Sequence, residues 1–147
     1  MRIIISESQY RILAENKFKK SLELYMDLYD GDVNSASESS GIELYKFIEA
    51  GLVTKCYGKL NLQNKPIKDL GELEYVSGYF HLSNTEIKTL GKLEWVGRSL
   101  GLSNTTINDL GNLKYVGGDL YLRLCPLAKL SDEEINKQVY VGGEIIR

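Results

Sequence analysis

Residues 78–97 read GYFHLSNTEIKTLGKLEWVG, and residues 98–117 read RSLGLSNTTINDLGNLKYVG; ten of the twenty positions are identical. This repetition limits the possible folds sharply. Each unit must take up nearly the same conformation. One unit cannot bury its own apolar face, so successive units must stack. The period of twenty runs back through 58–77 (GKLNLQNKPIKDLGELEYVS) and forward from 118 (GDLYLRLCPLAKL).

Aligned at that period, the apolar positions form columns. Leu60, Phe80, Leu100 and Leu120 make one, and Leu62, Leu82, Leu102 and Leu122 another. Ile67, Ile87, Ile107 and Leu127 follow, then Leu70, Leu90, Leu110 and Leu130. Leu73, Leu93 and Leu113, with Val76, Val96 and Val116, complete the set. The L-x-L pair has the period of two of a strand with both leucines on one face. The remaining spacing is not alternating and reads as two bends that return the chain to the next strand. Gly71, Gly91 and Gly111 mark places where φ is positive or a side chain would clash. After Leu130, Val141-Gly142-Gly143 matches Val116-Gly117-Gly118, so the last step is 25 residues long. Ser131 and Glu134 have capping-box spacing. They predict a short helix over 132–138 before a last strand near 144–146.

These columns resemble the leucine-rich repeat, in its short bacterial and viral forms, over 51–147. Phe80, Leu82, Thr85 and Ile87 fill the fourth, sixth, ninth and eleventh consensus positions, and Cys125 takes the ninth position of its own unit. The first consensus leucine is replaced by Ser77, Gly97 or Gly117, and Asn64, Asn84 and Asn104 fall one place early. A variant turn is therefore expected in place of the usual internal asparagine ladder. The fold implied is an α/β repeat solenoid, leucine-rich-repeat-like, with about five short parallel strands.

Residues 1–55 carry no repeat and read as a helical N-terminal cap on the solenoid of 56–147. RIII suggests a short strand. Ser6 and Gln9 open a helix to about Glu15, and apolar spacing predicts a second over 18–29. A third helix over 37–50 ends at Gly51. The opening IIISESQYRILAEN also resembles small tailed-phage proteins.

The chemistry of the chain is sparse. It contains no phosphate loop, dinucleotide fingerprint or nucleophile elbow. His81 is the only histidine, which excludes a multi-histidine zinc site. Cys56 and Cys125 lie three units apart, about 14 Å at strand spacing, too far for a disulfide and expected as buried packing thiols. No metal or other cofactor is implied. The net charge is -2, and 56–147 holds 11 basic and 11 acidic residues, so no basic stripe points to nucleic acid. No run is long enough to span a membrane, and the opening is too short for a signal peptide, so a cytoplasmic protein is expected.

Where repeated columns form a core, information can be written only in the columns between them. Those flanking the L-x-L pair hold Lys59, Asn61, Tyr79, His81, Asp119, Tyr121 and Arg123, with Gly101 leaving a dip between the tyrosines. Tyrosine and arginine are common interface anchors. These seven residues are the expected contact set for a protein partner. A second column, Tyr75, Trp95, Tyr115 and Tyr140, reads first as a packed aromatic ladder and second as a strip for sugar or protein. The leading expectation is a non-enzymatic, phage-encoded protein-binding module that uses its strand face. The alternatives are a structural part of a virion or other assembly, and a carbohydrate-binding or carboxylate-based hydrolytic solenoid.

Overall fold

The computed structural model describes residues 6–28, Asp30, Asn34 and 43–147. The chain divides into two compact units, Met1–Leu44 and Tyr45–Arg147. In the first, α1 runs without a break over Glu7–Leu28. The two helices expected over 7–15 and 18–29 are thus one, since no glycine or proline interrupts the join at Asn16-Lys17. The RIII segment and the start of the helix expected from 37 lie outside the described residues.

The second unit is a parallel β-solenoid. Its strands are only two residues long because each turn changes direction after every short extended piece. They form two five-stranded parallel sheets. The first contains β1 (Lys55–Cys56), β3 (Tyr75–Val76), β5 (Trp95–Val96), β7 (Tyr115–Val116) and β9 (Tyr140–Val141). The second contains β2 (Leu60–Asn61), β4 (Phe80–His81), β6 (Leu100–Gly101), β8 (Leu120–Tyr121) and β10 (Ile145–Ile146). The expected L-x-L strands are the second sheet. The first adds a ladder at a column where the sequence suggests only a bend. Each of its strands has one residue outward and one inward, too short a piece for alternation to be read.

The core is the set of repeated columns. Leu60, Leu62, Ile67, Leu70, Leu73 and Val76, and their equivalents in the next two turns, are buried. Fully burying each such side chain is worth about 1.5–3 kcal/mol. The third side of each turn is a loop with two recurrent bends. At the first, Asn64, Asn84 and Asn104 adopt φ of 62°, 59° and 53°. Asparagine tolerates this left-handed region better than most residues. Their amides bond in series, Asn84 Nδ2 to Asn64 Oδ1 at 2.9 Å and Asn104 Nδ2 to Asn84 Oδ1 at 2.8 Å. The ladder lies on the surface, which is the variant turn anticipated from the early asparagine column. Just inside it, Thr85 and Thr105 are buried and donate to the carbonyls of Leu82 and Leu102 at 2.7 and 2.8 Å.

At the second bend, Gly71, Gly91 and Gly111 have φ of 56°, 56° and 54°, as their spacing predicts. Their N–H groups are accepted by Asp69, Thr89 and Asp109 two residues earlier, the local side-chain turn favoured by these residue types. A different constraint holds the corner between the sheets. A Cβ at Gly97, Gly117 or Gly142 would fall 2.0, 2.1 or 2.4 Å from the carbonyl oxygen of the turn below. The stacked backbones touch there, so only glycine fits.

Both ends of the solenoid carry helix on this third side. At the N-terminal end, α2 (Leu44–Glu49) forms the helical cap, stopped by Gly51 at φ 76°. Phe47 falls twenty residues before Ile67 and is buried, so the helix continues the isoleucine column. Glu49 Oε1 accepts the Lys68 N–H at 2.7 Å. At the other end, a 3₁₀ turn (Pro126–Lys129) leads to α3 (Asp132–Asn136). Ser131 caps α3 by accepting the Glu134 N–H at 3.1 Å, as the capping-box spacing predicts. Cys56 and Cys125 form no disulfide and are buried.

Candidate functional site

The outer face of the second sheet brings the sequence-predicted residues together. Parallel register places Asn61, His81, Gly101, Tyr121 and Ile146 in one row across the strands. Each is outward because its strand neighbour, from Leu60 to Ile145, faces the core. Lys59, Tyr79, Ser99, Asp119 and Glu144 precede this row by two residues, and Gln63, Ser83, Ser103 and Arg123 follow it. Neighbouring strands lie about 4.8 Å apart, so His81 and Tyr121, two strands apart, stand about 10 Å from each other.

Between them, Gly101 is buried and forms the floor of a depression. A methyl group there would meet Ser83 Oγ at 3.3 Å and His81 Nδ1 at 3.7 Å, so the floor is shallow and the serine must give slightly to admit even a methyl. One wall is the Tyr79–His81 pair, whose rings stack at 6.2 Å and 14°. The other is Tyr121, held by a hydrogen bond from its hydroxyl to Asp119 Oδ2 at 3.4 Å. Tyr79 is 44% exposed and Tyr121 38%.

The polar groups divide into committed and open ones. Asp119 Oδ1 accepts the Glu144 N–H at 2.8 Å while Oδ2 accepts from Tyr121, so this carboxylate fixes the last strand and the tyrosine. The sequence offers Asp119 as a contact residue, and its place here is behind Tyr121. Asn61 Oδ1 accepts the Gln63 N–H at 3.0 Å, which leaves its amide nitrogen toward solvent. Lys59 and Arg123, which belong to the first and fourth levels of the face, are exposed. Partial burial, with Lys59 adding to it, pushes the His81 pKa below its ordinary value, so the ring is neutral near pH 7. Burial first, then the Asp119 carboxylate, pushes the Tyr121 phenol above its usual range, keeping its hydroxyl protonated. The site can donate and accept hydrogen bonds and offers aromatic ring surface.

The outer face of the first sheet is built differently. Tyr75, Trp95, Tyr115 and Tyr140 share one register row and stack. Centroids are 6.3, 3.7 and 5.3 Å apart with interplanar angles of 18°, 11° and 16°. Tyr57 closes the lower end, tilted by 56° against Tyr75. A sugar sandwiched between two rings needs a gap of about 7 Å, twice a carbon–carbon contact. The ladder offers none and turns only ring edges outward along its length.

Among the described residues, no three histidine, cysteine or acidic side chains converge as a metal-ligand cluster. No described helix is long and apolar enough to cross a membrane. Sequence reasoning missed Leu124. It stands in the asparagine column at φ 58°, is 75% exposed, and ends the amide ladder. No protein-family model, curated protein or solved structure matches this chain.

Proposed function

We propose that this solenoid is a non-enzymatic protein-binding module whose partner docks on the outer face of the second sheet. The observation that carries the reading is the depression over Gly101, walled by Tyr79 and His81 on one side and Tyr121 on the other. Aromatic anchors around a small pocket, with polar groups at the rim, are what a protein interface concentrates in its energetic centre. Lys59, Asn61 and Arg123 supply that rim, and Asp119 acts as the positioning group for Tyr121. Kinship with the leucine-rich repeat belongs to the same reading and rests on the buried Leu, Ile, Thr and Cys columns. The phage-like opening and the two reduced thiols favour a phage-encoded factor acting in a host cytoplasm.

The test is capture of the partner from lysate of the source organism by tagged wild type and by the Tyr79→Ala/Tyr121→Ala variant. One protein retained by wild type and lost by an equally folded variant supports the reading. Equal capture by both forms rejects it and favours a structural role through another surface.

A further inference from the structure

We propose that Arg98 is an anion-recognition residue, which takes a carboxylate from an acidic segment of the protein partner docked on the adjoining sheet face. The choice of occupant rests on that docking reading. The first observation is a break in the scaffold. Arg98 occupies a column that is glycine in every other turn, Gly58, Gly78, Gly118 and Gly143. Space explains the glycines that have a turn beneath them. A Cβ at Gly78 would fall 2.6 Å from the Gly58 carbonyl carbon, one at Gly118 2.9 Å from the Ser99 nitrogen, and one at Gly143 2.9 Å from the Gly118 carbonyl carbon. Arg98 puts a Cβ in the same place. The backbone bond at this level, from the Arg98 N–H to the Gly78 carbonyl, is 3.2 Å long, against 3.0, 3.1 and 2.9 Å for its equivalents. A residue that breaks a local rule at a cost in packing marks a position held for function.

Nothing inside the chain uses this side chain. Arg98 is exposed, and among the described residues its guanidinium has no hydrogen-bond, ion-pair or ring partner. Arg147, by contrast, pairs with Asp132 and is held by the carbonyls of Ala128 and Leu130. The acid beside the column in the next turn, Asp119, is committed elsewhere. Its Oδ1 accepts the Glu144 N–H at 2.8 Å and its Oδ2 the Tyr121 hydroxyl at 3.4 Å.

The surroundings suit an approaching chain. Gly97 precedes Arg98, and Gly78 and Gly118 hold its position in the turns on either side, so the corner between the two sheets is largely bare backbone there. At the same level of the second sheet stand Ser99, Gly101 and Ser103, all small and uncharged. Gly101 lies three residues from Arg98, about 10 Å of extended chain at most. A partner segment seated over Gly101 between Tyr79 and Tyr121 therefore reaches the guanidinium within a few residues. Guanidinium and carboxylate meet through two parallel N–H bonds, the strongest pairing an exposed arginine can make. Charge complementarity thus selects an aspartate or glutamate close to the anchoring residue of the partner and disfavours a basic segment.

Nuclear magnetic resonance titration of the isotope-labelled full chain with a short oligoglutamate peptide at low salt tests this, with oligoglutamine and oligothymidylate as comparison probes. The expected result is saturable shifts of the Arg98 Nε–H signal and of the Gly97 and Gly118 amides, with a Kd in the millimolar range, abolished by added salt and absent with oligoglutamine. Arg98→Gly restores the glycine of the column and should weaken binding about tenfold or more. Arg98→Lys keeps the charge without the fork and should fall between the two. Lys88→Ala, on the third side of the coil, should leave binding unchanged. Circular dichroism checks that each variant is folded. An unresponsive Arg98 overturns the proposal, as does equal binding by folded Arg98→Gly. Tighter binding of oligothymidylate also overturns it and assigns the arginine to a nucleic-acid phosphate. The peptide probe needs no partner, so the two readings fail separately. Partner capture lost by Tyr79→Ala/Tyr121→Ala while Arg98 ignores the peptide rejects this proposal and leaves the docking face standing.

Discussion

The two sheets share one coil, one period and one core, yet their outer faces obey opposite rules. On the first sheet the outward row is nearly uniform, Tyr75, Trp95, Tyr115 and Tyr140, and its members touch one another. On the second the row is Asn61, His81, Gly101, Tyr121 and Ile146, and no two are alike. Uniform rows in a solenoid satisfy themselves, because each residue's best contact is its own copy one turn away. Mixed rows cannot do this, so their side chains remain available. Repetition of a column therefore signals scaffold even when the column is exposed and aromatic.

Substitutions can break this comparison or sharpen it. The largest effect is expected where the scaffold is tightest. Gly117→Ala would place a methyl 2.1 Å from the Gly97 carbonyl oxygen, and backbone must move. A loss of about 3 kcal/mol of unfolding free energy is expected, read from the shift of the denaturant midpoint. Gly101→Ala, with its nearest contact at 3.3 Å, should change stability by less than about 1 kcal/mol and instead reduce partner capture by filling the depression.

Next come the two faces themselves. Trp95→Ala removes stacking on Tyr75 and Tyr115, and a loss of about 2 kcal/mol is expected from two aromatic pairs and the lost burial. Tyr121→Ala removes one long hydrogen bond to Asp119 and no ring stacking, and should cost about 1 kcal/mol. Equal losses at both positions would erase the distinction between the faces. Leu124→Asn should act in the other direction. It puts a residue tolerant of positive φ at 58° and extends the amide ladder from Asn104, for a gain of about 1 kcal/mol in a thermal melt. The smallest effect is the pH dependence of His81. Its pKa is lowered in the fold, so the unfolded chain binds the proton more readily. The contribution is complete above about pH 6.5 and declines as pH falls through the folded value. His81→Gln should flatten that part of the stability–pH curve.

Much of this architecture was legible in the sequence, for identifiable reasons. The columns from Leu60 to Val76 announced the core because stacking makes one residue's environment that of its copies. Ser131 with Glu134, and Gly71 with its equivalents, announced a cap and a bend by local chemistry alone. The first sheet was not legible as a sheet, since Tyr75–Val76 is one outward and one inward residue. The continuity of α1 was hidden because its apolar spacing changes near Asn16 while its backbone does not. At the site, the seven outward residues were readable from alternation. That Asp119 is committed to Tyr121 and Glu144 was not, because the Glu144 contact crosses from a turn lengthened by five residues. Nor was Leu124 conspicuous, since a leucine in a leucine-rich stretch draws no notice until its φ and exposure are seen.

The central claim is that the mixed face recognises and the uniform face supports. Hydroxyl-radical footprinting of the captured complex, against the free protein, tests it directly, because tyrosine and tryptophan report from both faces at once. The account predicts protection of Tyr79, His81 and Tyr121 with unchanged labelling of Tyr75, Trp95 and Tyr115. Protection of the aromatic ladder with Tyr79 and Tyr121 still labelled would contradict it and move recognition to the first sheet.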